Sequence, residues 1–215
     1  MNRKRAPCIY VLAGANGAGK SSIGGAMILA SGAEYFNPDE AALRFRSANP
    51  AMPQEEANSA AWRQGKRLLE RAISERLDFA FETTLGGSTI AALLDEALSK
   101  KIEVRIWLVG LATPELHIAR VRSRVAHGGH NIPEAKIRER YDKSRFHLVY
   151  LMPKLTELRV YDNSAEADPQ EGIAPQPKLL LHMARRKIVD SCHLTRTPEW
   201  AKPILAMAMK LAHKE

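Results

Sequence analysis

Apolar positions along the chain follow two rhythms. Short uninterrupted runs at residues 9–12, 79–81, 104–109 and 158–161 have strand length, and residues 34–37 predict a further short strand closed by Pro38. Between them the spacing becomes helical. Residues 20–30 predict a helix despite Gly24 and Gly25, which lower its propensity. Residues 53–77 bring Ala57, Ala61, Leu68, Leu69 and Ile73 to one side of a long helix. Helices are also predicted at 88–100, 114–127 and 134–151. Strands alternating with helices imply an α/β fold whose mainly parallel central sheet is covered on both faces.

The pattern changes after residue 164. Residues 165–178 hold Pro169, Pro175 and Pro177 with no apolar periodicity, and read as a connector. Two apolar runs, 179–183 and 188–189, flank the basic stretch Ala184, Arg185, Arg186 and Lys187; a hairpin and a helix both fit, and the hairpin is favoured. Thr197-Pro198-Glu199 has the form of an N-cap followed by proline at the first helical position, so a last helix is expected over 199–212. Residues 1–164 are expected to form the core and 165–215 a connector and extension packed on it, too short to stand alone.

Composition narrows the class. With 215 residues, 45% hydrophobic and 26% charged, the chain can bury a proper core and is not disordered as a whole. Cys8 and Cys192 match no zinc or disulfide spacing, which fits a reducing cytoplasm. No apolar run approaches the ~20 residues that cross a bilayer. Arg3-Lys4-Arg5 followed by apolar residues imitates a secretory signal, yet the run leads straight into a glycine-rich loop, so a cytoplasmic protein is expected.

The formal net charge is +8, and it is concentrated. One patch is the basic N-terminus. The other holds Arg120, Arg122, Arg124, Lys136, Arg138, Arg140, Lys143 and Arg145 against Glu134, Glu139 and Asp142. No carboxylate occurs between Leu116 and Pro133, so Arg120, Arg122 and Arg124 lack a local acidic partner. Arg120 and Arg124 are i,i+4 neighbours whose repulsion an external anion would relieve. Arg138 has Glu134 and Asp142 at i±4 and is expected to pair with them, whereas Arg140 has no acid at i±3 or i±4 and is the better phosphate contact. The two basic helices, joined by Gly128-Gly129-His130-Asn131-Ile132-Pro133, read as an arginine-rich lid at about 114–151 with a flexible hinge. His130 at the tip could touch substrate, though a lone loop histidine is more often only solvated.

Gly14-Ala15-Asn16-Gly17-Ala18-Gly19-Lys20-Ser21 fits the Walker A pattern. Glycines let backbone N–H groups turn toward phosphate oxygens, and the following helix adds its positive end. Lys20 would reach the β- and γ-phosphates, and the Ser21 hydroxyl would ligate Mg²⁺. A nucleoside triphosphate is therefore the expected ligand, with Ser22 extending the cradle. Asp39, two residues beyond one short strand, and Glu82, closing another, would stand at strand C-terminal ends where ligands gather. Two carboxylates beside a triphosphate suit handling of an acceptor hydroxyl. Each also has a plainer reading: Asp39 as an N-cap for 40–46, and Glu82 as a cap of the next segment.

In order, GANGAGKSS, NPDE, FETTL, ARVRSRVAHGGHNIPEAKIRERY, YDNS and TPEW resemble the zeta-toxin-like phosphate-loop kinases, the family that contains UDP-N-acetylglucosamine kinases. The likeness spans residues 9–164 and the tail. It implies a P-loop NTPase fold, a three-layer sandwich with an arginine-rich helical lid, and Asp39 as base on the acceptor hydroxyl. It further implies Lys20 and Ser21 on ATP-Mg²⁺, Glu82 in the substrate or metal region, Arg120, Arg124 and Arg140 gripping phosphates, and Asp162, Asn163 and Ser164 near the nucleotide base. The acceptor it suggests is a small-molecule hydroxyl such as that of UDP-N-acetylglucosamine, and an antitoxin protein is the partner it raises. The shorter length and the GGH lid depart from plasmid zeta toxins. A rival class, a nucleic-acid end kinase or nucleic-acid-stimulated ATPase, rests on the basic surplus. Aromatics make up only 6% with no aromatic–basic stripe, which argues against nucleic acid as partner. A degenerate nucleotide-binding module acting in regulation is a third reading, and intact Lys20 and Ser21 count against it.

Overall fold

A computed structural model describes residues 6–20, 24, 32–33, 35–165 and 176–213. Most of the helix expected over 20–30, most of the connector at 165–178, and the basic N-terminus lie outside the described residues.

The described strands form a seven-stranded sheet in the order β2-β3-β1-β4-β5-β6-β7. Its strands are β1 (Cys8–Ala13), β2 (Tyr35–Phe36), β3 (Phe79–Thr83), β4 (Glu103–Gly110), β5 (Glu157–Asp162), β6 (Lys178–Ala184) and β7 (Lys187–Ser191). The first five run parallel, and β6 and β7 add antiparallel. The helices are α1 (Pro38–Ala48), α2 (Gln54–Glu75), α3 (Ser88–Ser99), α4 (Pro114–Ala126), α5 (Glu134–Leu151) and α6 (Lys202–Ala212).

β1 is buried along its whole length because it feeds two cores. Ile9, Val11 and Ala13 join the large cluster on one face, while Cys8, Tyr10 and Leu12 join a smaller one on the other. That is why the strand reads as an unbroken apolar run. Coverage of the second face thins at β4 and β5. There Glu103, Arg105, Glu157 and Arg159 form a half-buried charged ladder, with Arg105 bonded to both glutamates at 3.1 Å. So β4 alternates, with Val104, Ile106 and Leu108 inward, rather than being apolar on both sides.

Three further expectations change in detail. Pro38 opens α1 rather than only closing β2. Asn37 is its N-cap, accepting from the Asp39 and Glu40 N–H groups through Oδ1, so Asp39 is not the cap. β3 continues through Glu82 to Thr83, held by register with β1 (Leu12 beside Glu82, Ala13 beside Thr83). At the C-terminus, Thr197 does not cap a helix: its hydroxyl bonds back to the His193 carbonyl at 3.2 Å. A 3₁₀ turn, Glu199–Ala201, precedes α6, because the prolines at 198 and 203 fall at the starts of separate turns.

The sequence after 175 is built into the sheet. The two-residue hairpin at Arg185-Arg186 turns β6 into β7, and Leu180, Leu181, Met183, Ile204, Leu205 and Leu211 enter the large core. Trp200 packs on the backbone of Gly110 and donates Nε1–H to Asp162 at 2.8 Å. β1 lies between β3, reached from one side, and β4, reached by crossing to the other. This change of direction opens a crevice beyond the C-terminal end of β1, where doubly wound sheets bind ligands.

Candidate active site

The glycine-rich loop leaves β1 into that crevice and is fixed from three sides. The Gly14 N–H donates to the Thr83 carbonyl at 3.2 Å, tying the loop to β3. Gly17 has φ +81°, and a Cβ there would lie 2.6 Å from the His117 carbonyl of α4. Gly19, at φ +79°, has the Asn163 side chain against it, and a Cβ would lie 2.3 Å from Nδ2. Only glycine meets both demands at once, a left-handed backbone and no side chain. Ala15 and Ala18 are buried, and the Ala18 N–H closes a turn onto the Ala15 carbonyl at 3.1 Å. Lys20 folds back over the loop and donates to the Gly14 carbonyl at 3.1 Å. Ser21 and Ser22 lie outside the described residues.

Two residues brace the loop from below. Asn163 is 2% exposed, donates Nδ2–H to the Ala18 carbonyl at 2.9 Å, and leaves its buried Oδ1 without a partner. His117 is 1% exposed and its Nδ1 lies 2.8 Å from the Asn16 carbonyl. A carbonyl can only accept, so Nδ1 carries the proton. Burial pushes the imidazole down to about 4, outweighing the Asn16 bond, and the Lys20, Arg120 and Arg145 charges add to the shift. The ring is therefore a neutral strut at pH 7. Sequence reasoning missed it. A lone histidine in the apolar spacing of α4 carries no signal beyond ordinary core usage.

The arginines converge from α4 and α5. Arg140 donates from Nη1 to the Asn16 Oδ1 at 2.6 Å, and desolvation lowers its pKa against the pull of Glu139 and Asp39. Arg124 faces Asp39, with Nη1 3.7 Å from Oδ2, and its buried Nε has no partner. Arg120 donates to the Asn163 carbonyl at 2.8 Å and to the Ala165 carbonyl at 3.2 Å, and its other terminal nitrogen lies beside Gly19. Arg140–Asn16 and Arg124–Asp39 are thus two pairs, related through the Asp39 charge that acts on Arg140. The orphaned Arg124 Nε, the desolvated Arg140 and the glycine cradle together fit a polyphosphate better than they fit one another.

Two other arginines of the basic patch have structural partners. Arg122 pairs with Glu134 across the helix junction. Arg138 pairs with Glu115 at 2.6 Å rather than with Glu134 or Asp142, because α5 lies along the start of α4. Ile118, Val121, Ile132 and Ile137 form a small core of their own that holds the GGH turn between the two helices. Glu82 accepts a hydrogen bond from the Tyr35 hydroxyl at 2.8 Å, so it is a partner of β2 and not a cap. Burial and the Glu82 charge raise the Tyr35 pKa, keeping the phenol protonated. Asp162 is bonded to Trp200 and to the Ser164 hydroxyl (2.6 Å), while Ser164 accepts from the Ala112 N–H at 2.8 Å. Of the Asp-Asn-Ser triplet, Asn163 alone reaches the loop through its side chain.

Among the described residues no cluster of His, Cys, Asp and Glu could by itself hold a metal, and no helix is long and apolar enough to cross a membrane.

Known proteins share this architecture. An uncharacterized protein of Haemophilus influenzae is 31% identical over 133 residues, covering 60% of this chain and 88% of that protein. The complex AvrRxo1-ORF1:-ORF2 with ATP superposes with a TM-score of 0.64 at 13% identity over 94% of this chain. The chain spans 63% of that protein's length. A structure of the PezAT chromosomal toxin-antitoxin system of Streptococcus pneumoniae gives a TM-score of 0.52 at 18% identity, covering 81% of this chain and 76% of that one. The family model Zeta toxin matches residues 1–168. With the loop, its struts and the converging arginines in view, that match means the chain belongs to the Zeta toxin family.

Proposed function

We propose that this protein transfers the γ-phosphoryl group of ATP to a hydroxyl of a small molecule, with a UDP-amino sugar the first acceptor to test. The observation that carries the reading is the pair of contacts Asn16–Arg140 (2.6 Å), which ties one guanidinium to the phosphate loop, and Arg124–Asp39 (3.7 Å), whose carboxylate charge also acts on Arg140. Triphosphate in the cradle offers both arginines a stronger partner than Asn16 or Asp39. Asp39, released from Arg124, accepts the proton of the acceptor hydroxyl as its oxygen bonds to the γ-phosphorus and the bond to ADP breaks. Lys20, Arg120, Arg124 and Arg140 stabilise the charge on the moving group. Ser21 and Glu82 are the residues that would hold a magnesium ion, which when bound neutralises the β- and γ-phosphate oxygens. Membership of the Zeta toxin family supports an antitoxin protein as partner. The test is incubation with labelled ATP, Mg²⁺ and a panel of sugar nucleotides, nucleosides and oligonucleotides, read by mass spectrometry. A phosphoryl mass gained by a sugar nucleotide supports the reading, and gain by an oligonucleotide alone overturns it.

A further inference from the structure

A second basic site lies at the far end of the sheet from the phosphate loop. The β4 strand runs from Glu103 to Gly110, so its start is about 23 Å from the loop end at the usual strand rise. There the end of α3, the turn before β5 and the β6–β7 hairpin enclose a cleft of about 370 Å³. Its rim holds Lys101, Lys154, Arg185 and Arg186 against the single acid Glu103, and its floor includes Ile102 and Leu155. Lys154 is paired with Asp95 at 2.6 Å, and Glu103 is shared between Arg105 and Arg185. Among the described residues Lys101 and Arg186 form no ion pair, and the buried Arg186 Nε has no hydrogen-bond partner.

The backbone singles out the same residues. Lys101, Arg185 and Arg186 have φ of +58°, +47° and +70°. The hairpin pairs Ala184 with Lys187, so both turn residues are left-handed, the geometry that Asn-Gly serves best. Lys101 stands just past α3, where Ile102 N–H bonds back to the Ala97 carbonyl at 3.0 Å and glycine or asparagine is the usual residue. Three cations therefore occupy positions that local conformation disfavours, and all three face one cleft. Such backbone outliers gather where a ligand is bound. We propose that this cleft binds a small diphosphate-bearing molecule through Lys101, Arg185 and Arg186, with its body over Ile102 and Leu155.

Inorganic pyrophosphate is the probe, titrated by calorimetry without metal into Lys20→Ala protein, which disables the phosphate loop. One binding event is expected to remain. Adding Arg185→Asn with Arg186→Gly, or adding Lys101→Asn, should weaken it about tenfold or more while raising the melting temperature, since each change suits the local backbone. Arg196→Gln, an exposed arginine outside the cleft, should leave affinity unchanged. Loss of all pyrophosphate binding on Lys20→Ala alone would overturn the site. So would unchanged affinity in both cleft variants, or equal weakening by Arg196→Gln.

Discussion

The buried imidazole of His117 makes stability depend on pH in a calculable way. Folded, the ring resists protonation down to about 4, whereas in the unfolded chain it titrates near 6.5. Between those values the unfolded state binds the extra proton, so stability is complete above the upper value and falls as pH drops through the window. At pH 5 the unfolded ring is almost fully charged and the folded ring mostly neutral, which costs about 2 kcal/mol relative to pH 7. Near pH 4 the loss approaches about 3 kcal/mol. With an ordinary urea dependence, the first figure lowers the midpoint by about 1 M. The measurement is taken as a difference between two proteins, so that contributions common to both cancel. In His117→Asn the amide can donate to the Asn16 carbonyl in place of Nδ1–H and carries no proton to gain. Urea unfolding of both proteins at pH 7 and pH 5 should show the native protein losing about 2 kcal/mol more than the variant. Equal losses would refute the neutral-strut reading of His117.

Other changes probe separate links. Gly17→Ala drives a methyl into the His117 carbonyl at a left-handed backbone position, and should cost about 2 kcal/mol or more in urea unfolding and weaken ATP binding by calorimetry. Trp200→Ala removes the ring from Gly110 and the donor from Asp162, with an expected loss of about 4 kcal/mol by chemical unfolding. Tyr35→Phe takes the hydroxyl from Glu82 and should lower stability by about 2 kcal/mol, whereas no change would mean the pair is incidental.

Much of the architecture was legible because strand and helix rhythms are local. The five parallel strands and the two basic helices follow from residue spacing, the glycine pattern marks the loop directly, and the β6–β7 hairpin is one of two readings that the spacing allows. What stayed hidden is long-range. Arg138 has two acids at helical spacing, yet it binds Glu115 because packing of α5 on α4 brings that side chain closer. Asn37 rather than Asp39 caps α1 because its Oδ1 reaches two N–H groups from the position before Pro38. His117 and Tyr35 gain their roles only when α4 meets the loop and β2 meets β3, and neither residue carries a motif. The charged ladder on β4 and β5 was masked by the aliphatic residues interleaved with it.

The central claim, a carboxylate poised with arginines over a nucleotide cradle, is most directly tested with Asp39→Asn. Its ATP affinity and its transfer rate to whichever acceptor gains phosphate would be measured beside the native protein. Nucleotide affinity should be unchanged or slightly tighter, since a negative charge beside the phosphates is gone, while transfer falls by about a hundredfold or more. A variant that transfers phosphate at the native rate would contradict the claim.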